Sequence, residues 1–174
     1  MDRCGVYLAQ AMTGQDRHEQ VTLAKLAVEI CEAQGLRPLS PVLEEKIKDE
    51  AGPLENTGEE LDGKWRGIDK PALKHKCFVL CVLNADLKSF GCEREYMLMR
   101  GAYWQPAVIV SPRHANGYIS IANFEDDYIA GSITEAAAYI NQRWGTWPKR
   151  FIWKVKVLCK MPKWLLLQLS RLFQ

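Results

Sequence analysis

Residues 77–83 read CFVLCVL, seven consecutive apolar side chains without a polar break. A strand with one wet face alternates apolar and polar residues, so a strand without alternation is covered on both faces. Sheets covered on both faces are characteristically parallel, because the crossover that joins parallel strands is usually a helix packed on the sheet. The run is far shorter than the ~18 apolar residues of a membrane span, so it belongs in a protein core.

The rest of the chain fits that frame. CGVYLAQAM (4–12) is a short apolar run that reads as a first buried strand, and TGQD (13–16) has turn chemistry. Val21, Leu23, Ala24, Leu26, Ala27 and Ile30 then recur at helical spacing, with Gly35 placed to stop the helix. LRPLSPV (36–42) predicts a second strand, and Pro38 and Pro41 put it at an edge or a strand end. Residues 44–63 are acidic and rich in turn residues and read as a surface loop. Residues 64–76 predict a helix or broken helix with Pro71 in its first turn and Asp69 near its start. After the 77–83 strand come a helix from Ser89, a strand at 106–112, one more candidate strand at 118–124, and a helix over 132–144. Ser132 and Glu135 form the capping box of that last helix. The expected fold is α/β: a Rossmann-like or flavodoxin-like parallel sheet of about five strands with helices on both faces.

Length and composition agree with one α/β domain, since 174 residues at 48% hydrophobic composition can bury a sizeable core. The net charge of +2 hides an asymmetry: residues 147–174 hold seven basic and no acidic side chains, leaving −5 on residues 1–146. The expected organisation is a domain over 1–146 and a basic, Trp/Leu-rich helical extension over 147–174. Six cysteines form no CxxC pair and the three histidines are far apart, so no zinc site is expected. Free thiols in a reducing compartment, and a first segment without a signal peptide's apolar run, predict a cytoplasmic protein.

In a doubly wound sheet, ligands bind at the carboxyl ends of the strands. Three segments there are informative: AQAMTG after the first strand, NADLKSFG after the third, and the loop before the second. Ser89-Phe90-Gly91 opens a helix whose first amides and serine hydroxyl suit a phosphate; the same residues also make an ordinary N-cap, with Glu93 favouring the helix dipole. Glu95, two positions on, faces another side of that helix. Asp69 is either a helix cap or a working acid. Tyr7 is either a core tyrosine with a partner for its hydroxyl or part of a site. Thr13-Gly14 reads as a plain turn or as a pocket loop.

Taken together, VYLAQAMTG, Asp69, Ser89-x-Gly91-x-x-x-Glu95 and the following QPAVIV resemble the nucleoside 2-deoxyribosyltransferase family, over roughly residues 5–112. That superfamily includes deoxynucleoside 5′-monophosphate N-glycosidases. The resemblance implies that Glu95 attacks the anomeric carbon, that Asp69 handles the base or the proton transfers, and that Tyr7 holds the nucleophilic carboxylate. It implies that Ser89 and Gly91 receive the 5′-phosphate, and that Gln10, Met12, Thr13 and Gly14 line the pocket. It further implies a nucleotide or nucleoside substrate, a homodimer or larger homo-oligomer, and no cofactor or metal. The chain departs from the family pattern at Gln10-Ala11, where Gly-Pro is usual, at Cys77, where Asp is frequent, and in YMLMRGAYW after Glu95.

The expected activity is therefore an N-glycosidase acting on a (deoxy)nucleoside 5′-monophosphate. The alternatives are a non-catalytic nucleotide-binding or sensing module and a base-exchanging deoxyribosyltransferase. For residues 147–174, three roles are open: an amphipathic peripheral anchor on an anionic membrane, a helix docked on the body or on another subunit, and, least favoured, contact with nucleic acid.

Overall fold

In the computed structural model, which describes residues 3–12, 15–44, 67, 69–87, 89–112 and 127–160, five parallel strands form one sheet. In chain order these are β1 (Gly5–Ala9), α1 (Arg17–Ala33), β2 (Arg37–Leu39), α2 (Pro41–Glu44) and α3 (Lys70–His75). They are followed by β3 (Val79–Val82), α4 (Phe90–Met97), a π-helical turn (Leu98–Ala102), β4 (Ala107–Val110), β5 (Tyr128–Ala130), α5 (Ile133–Trp144) and α6 (Trp147–Lys160). The spatial order β2-β1-β3-β4-β5 is that of flavodoxin-like sheets, as expected. Its topological switch point lies between β1 and β3, where Tyr7 pairs with Leu80.

Period-2 geometry divides each central strand between two cores. Val6 and Leu8, Val79 and Cys81, and Val108 and Val110 face the layer holding α1 and α5. Tyr7 and Ala9, Leu80 and Val82, and Ala107 and Ile109 face the layer holding α3 and α4. Every residue of β3 is buried, which is why its sequence shows no alternation.

Local signals set the ends of the elements. Asp16 caps α1 by accepting from the Glu19 N–H at 3.1 Å. Gly35 ends it at φ 73°, with Leu36 N donating to Cys31 O and Gly35 N to Glu32 O, the paired bonds of a Schellman motif. Ser132 caps α5 through the Glu135 N–H at 3.2 Å, and the Glu135 carboxylate reaches back to Gly131 N at 2.8 Å. Gly5 is required for another reason: a Cβ there would stand 2.2 Å from the Lys76 carbonyl oxygen.

The strands are shorter than the apolar runs that carry them. Residues 40–42 leave β2, and Pro41 opens α2, since a proline cannot donate to the ladder but suits a first helical turn. Of the helix expected over 64–76, the described residues form α3 over 70–75, and residues 64–66 and 68 lie outside the described residues. The fifth strand is Tyr128–Ala130, too short for a periodic signature; the expected strand at 118–124 and the loop at 45–63 lie outside the described residues. The helix of the extension docks on the body: Trp153 meets Trp144 edge-on with ring centroids 5.6 Å apart, and Arg150 donates to the carbonyls of Trp144 and Gly145. Among the described residues no helix is long and apolar enough to cross a membrane.

All six cysteines are free thiols, and only Cys159 is exposed. Burial pushes the thiols of Cys31, Cys77 and Cys92 up to about 12 from 9.0, and raises that of Cys81 as well. The unfolded chain begins to lose these protons near pH 9, whereas the fold keeps them to about 12. Stability is thus complete below pH 9 and falls between 9 and 12, by ~1.4 kcal/mol per pH unit for each thiol. We expect urea midpoints to drop steadily above pH 9, and a thiol reagent at pH 8 to modify one cysteine in the native state and six in denaturant. Rapid modification of several native thiols would contradict this burial.

Candidate active site

The side chain of Tyr7 leaves the middle of β1 on the α3–α4 face and is fully buried. Its hydroxyl oxygen lies 2.7 Å from Asp69 Oδ1 and 2.8 Å from Glu95 Oε1. Both acids are only 9% exposed. Asp69 stands at the start of α3, which runs back toward β3, so that start lies near the carboxyl ends of the strands. Glu95 comes from α4, which begins just beyond the carboxyl end of β3. Two helices and one strand thus bring together residues 62 and 88 positions apart in the chain.

Asp69 occupies the N-cap position of α3, yet its side chain makes no cap hydrogen bond, so the ordinary capping role does not account for it. Tyr7 has one hydroxyl hydrogen for two carboxylate oxygens, so the second contact is a hydrogen bond only when a carboxyl group supplies another proton. Burial first, then the charges of Glu95 and Asp69, hold the phenol far above its ordinary value of 10.0. Tyr7 is therefore a neutral donor at any working pH and does not act as a base.

The separation of the acids carries chemical information. Laid end to end, the two contacts of 2.7 and 2.8 Å cap the distance between the carboxylate oxygens at about 5.5 Å. That upper bound for the facing oxygens is short of the ~6.5–9.5 Å of an inverting glycosidase pair.

Ser89 is the N-cap of α4: its Oγ accepts from the Cys92 N–H at 3.3 Å. Gly91 is exposed, and the space beside its Cα is open except for Ser89 Oγ, 3.6 Å from an ideal Cβ. Glu93 lies in the first turn, suited to the helix dipole.

Two expected pocket residues are engaged elsewhere. Gln10 is 8% exposed and donates through Nε2 to Gln20 O and Gln20 Oε1, each at 3.0 Å. Met12 receives a further contact from the same nitrogen at 3.6 Å and packs beside Val21, Ala24 and Val42. Both side chains pin the end of β1 to α1 and do not reach Tyr7, Asp69 or Glu95. The cause is strand parity, since Gln10 leaves the strand opposite to Tyr7 and Ala9. Thr13 and Gly14 lie outside the described residues.

Sequence reading missed two clusters here. Asn84, at the carboxyl end of β3 with φ 41°, donates to Gln20 Oε1 at 3.3 Å, and Gln10 Oε1 and Asn84 Oδ1 are buried without a protein partner. On the other side of α4, the Tyr96 hydroxyl donates to Asp127 Oδ2, and Arg100 Nε pairs with Asp127 Oδ1 at 2.8 Å. Tyr96 and Arg100 share a helical face at i, i+4 spacing, which is legible in sequence; their partner just before β5 is not. The π turn carries Arg100 and closes with Tyr103 N donating to Leu98 O.

Among the described residues, no three His, Cys, Asp or Glu side chains are placed to hold a metal. Comparison with known proteins finds no matching family model and no matching curated relative.

Proposed function

We propose that the protein is an N-glycosidase that cleaves the base–sugar bond of a nucleoside 5′-monophosphate, with Glu95 as nucleophile and Asp69 as acid and then base. The observation that carries this reading is the single phenol hydroxyl shared by two buried carboxylates, whose facing oxygens lie no more than about 5.5 Å apart, closer than an inverting pair. The sequence resemblance points to the same three residues.

The proton count fits the division of labour. With a proton on Asp69, Asp69 donates to Tyr7 Oη and Tyr7 donates to Glu95, so both contacts are hydrogen bonds and Glu95 keeps its charge. Glu95 then attacks the anomeric carbon as the glycosidic bond breaks, and the departing base takes the proton from Asp69. In the second step Asp69 accepts a proton from water, whose oxygen displaces Glu95 and releases the free sugar phosphate. The open first turn of α4, with Ser89 and Gly91, is where this reading seats the phosphate, at the positive end of the helix dipole. A second base in place of water would make the same centre a transferase.

The test is free-base release from a panel of ribo- and deoxyribonucleoside 5′-monophosphates. Release that exceeds release from the matching free nucleosides is expected. Nucleotide binding without release would replace this reading with the non-catalytic binding module. Neither binding nor release would remove both.

A further inference from the structure

A second site lies at the opposite end of the sheet. A cavity of about 420 Å³ opens among the amino ends of the strands, beside Gly5 at the start of β1, Arg37 at the start of β2 and Phe78 just before β3. Six fixed cations line it, Arg3, Arg37, Lys74, Lys76, Arg150 and Lys154, and among the described residues no Asp or Glu does. They come from the segment before β1, from β2, from the end of α3 and from α6. Arg3, Arg37, Lys74, Lys76 and Lys154 have no acidic partner among the described residues.

Like charges gathered on one concave surface repel and raise the local potential, in a body whose first 146 residues are net acidic. Lys74 at the last turn of α3 is partly explained by the helix dipole. That account does not reach Arg3 or Lys154. Arg37 is also held in place, with Nη2 donating to Lys76 O at 2.8 Å, and a guanidinium has four further N–H donors to offer.

A recess of about 260 Å³ adjoins this cavity and shares Phe78, Gln105 and Lys154 with it. Its other walls include Tyr103, Trp104 and Trp153. Three aromatic side chains lining one recess suit an aromatic ring, since aromatic pairs gain beyond the area they bury.

We infer that this end of the sheet binds a small phosphate ester carrying an aromatic ring, with the phosphate among the six cations and the ring in the tryptophan-lined recess. The site is separate from Tyr7, Asp69 and Glu95 and does not depend on their chemistry.

The test uses tryptophan fluorescence and thermal shift on the full chain, with phenyl phosphate, inorganic phosphate, phenol and anionic phospholipid vesicles as probes. Phenyl phosphate is expected to bind more tightly than inorganic phosphate or phenol, and to weaken as salt rises. The double variant K74E/K154E, both positions exposed, is expected to lose at least about tenfold in affinity while keeping its melting temperature, as charge-assisted contacts are removed. Gly91→Asp, which sets an anion in the phosphate seat of the proposed catalytic centre, is expected to bind phenyl phosphate as the wild type does, which separates the two sites. Equal binding by K74E/K154E, binding lost in Gly91→Asp, or binding of vesicles without phenyl phosphate would each overturn the inference. If K74E/K154E melts early, Lys154→Gln alone with the same probes decides.

Discussion

Glu95→Gln is expected to lower base release by at least about 10⁴-fold, because the amide cannot form the glycosyl–enzyme bond. The substitution is nearly isosteric, and the Gln oxygen still accepts from Tyr7, so the fold and nucleotide binding should survive. Asp69→Asn should behave differently. It removes the acid, which matters less when the departing base is intrinsically good at leaving. Its loss should therefore shrink on nucleotides with activated bases, whereas that of Glu95→Gln should not. Steady-state rates on one natural and one activated substrate check both. A Glu95→Gln enzyme retaining a tenth of wild-type activity would remove Glu95 from the chemistry.

The largest expected loss of stability is at Asp127. Its carboxylate and the Arg100 guanidinium have side chains 1% and 6% exposed, and the same carboxylate accepts from Tyr96. Asp127→Ala leaves a buried cation without its anion, and breaking such a pair from one side costs about 3–5 kcal/mol. Replacing both partners with apolar residues of similar volume, as in R100M/D127L, should recover much of that loss, since no charge is then left buried. Urea denaturation of the wild type and the two variants measures this. A loss under about 0.5 kcal/mol for Asp127→Ala would show that the pair is solvated in solution. Tyr96 adjoins Glu95 on α4, so a loosened Asp127 should also lower activity through the placement of the helix.

Much of the candidate centre was legible because its parts are local. Ser89 marks a helix start by its own capping chemistry, and Pro71, suited to a first helical turn, places Asp69 at the helix start two positions earlier. What sequence left open was which role each residue takes: Asp69 as cap or acid, Tyr7 as core or site. In the structure the Asp69 side chain makes no cap hydrogen bond to α3 and meets the Tyr7 hydroxyl. Gln10 and Met12 were placed in the pocket by resemblance, but Gln10 departs from the strand on the α1 side. Chain position alone cannot show how far such a side chain reaches.

The sequence by itself determined the parallel sheet, its flanking helices and their ends. Unbroken apolar runs, helical spacing, Gly35 and Ser132 act over a few residues, where sterics and hydrogen bonding decide the outcome. Only the tertiary structure decided what meets what. Tyr7 joins Asp69 and Glu95 across two crossovers, Arg100 finds Asp127 beyond β4, and cations from separate segments line one cavity. No local rule encodes those meetings; they follow from the order in which parallel strands take their places in the sheet, which sets the residues that share each end and each face.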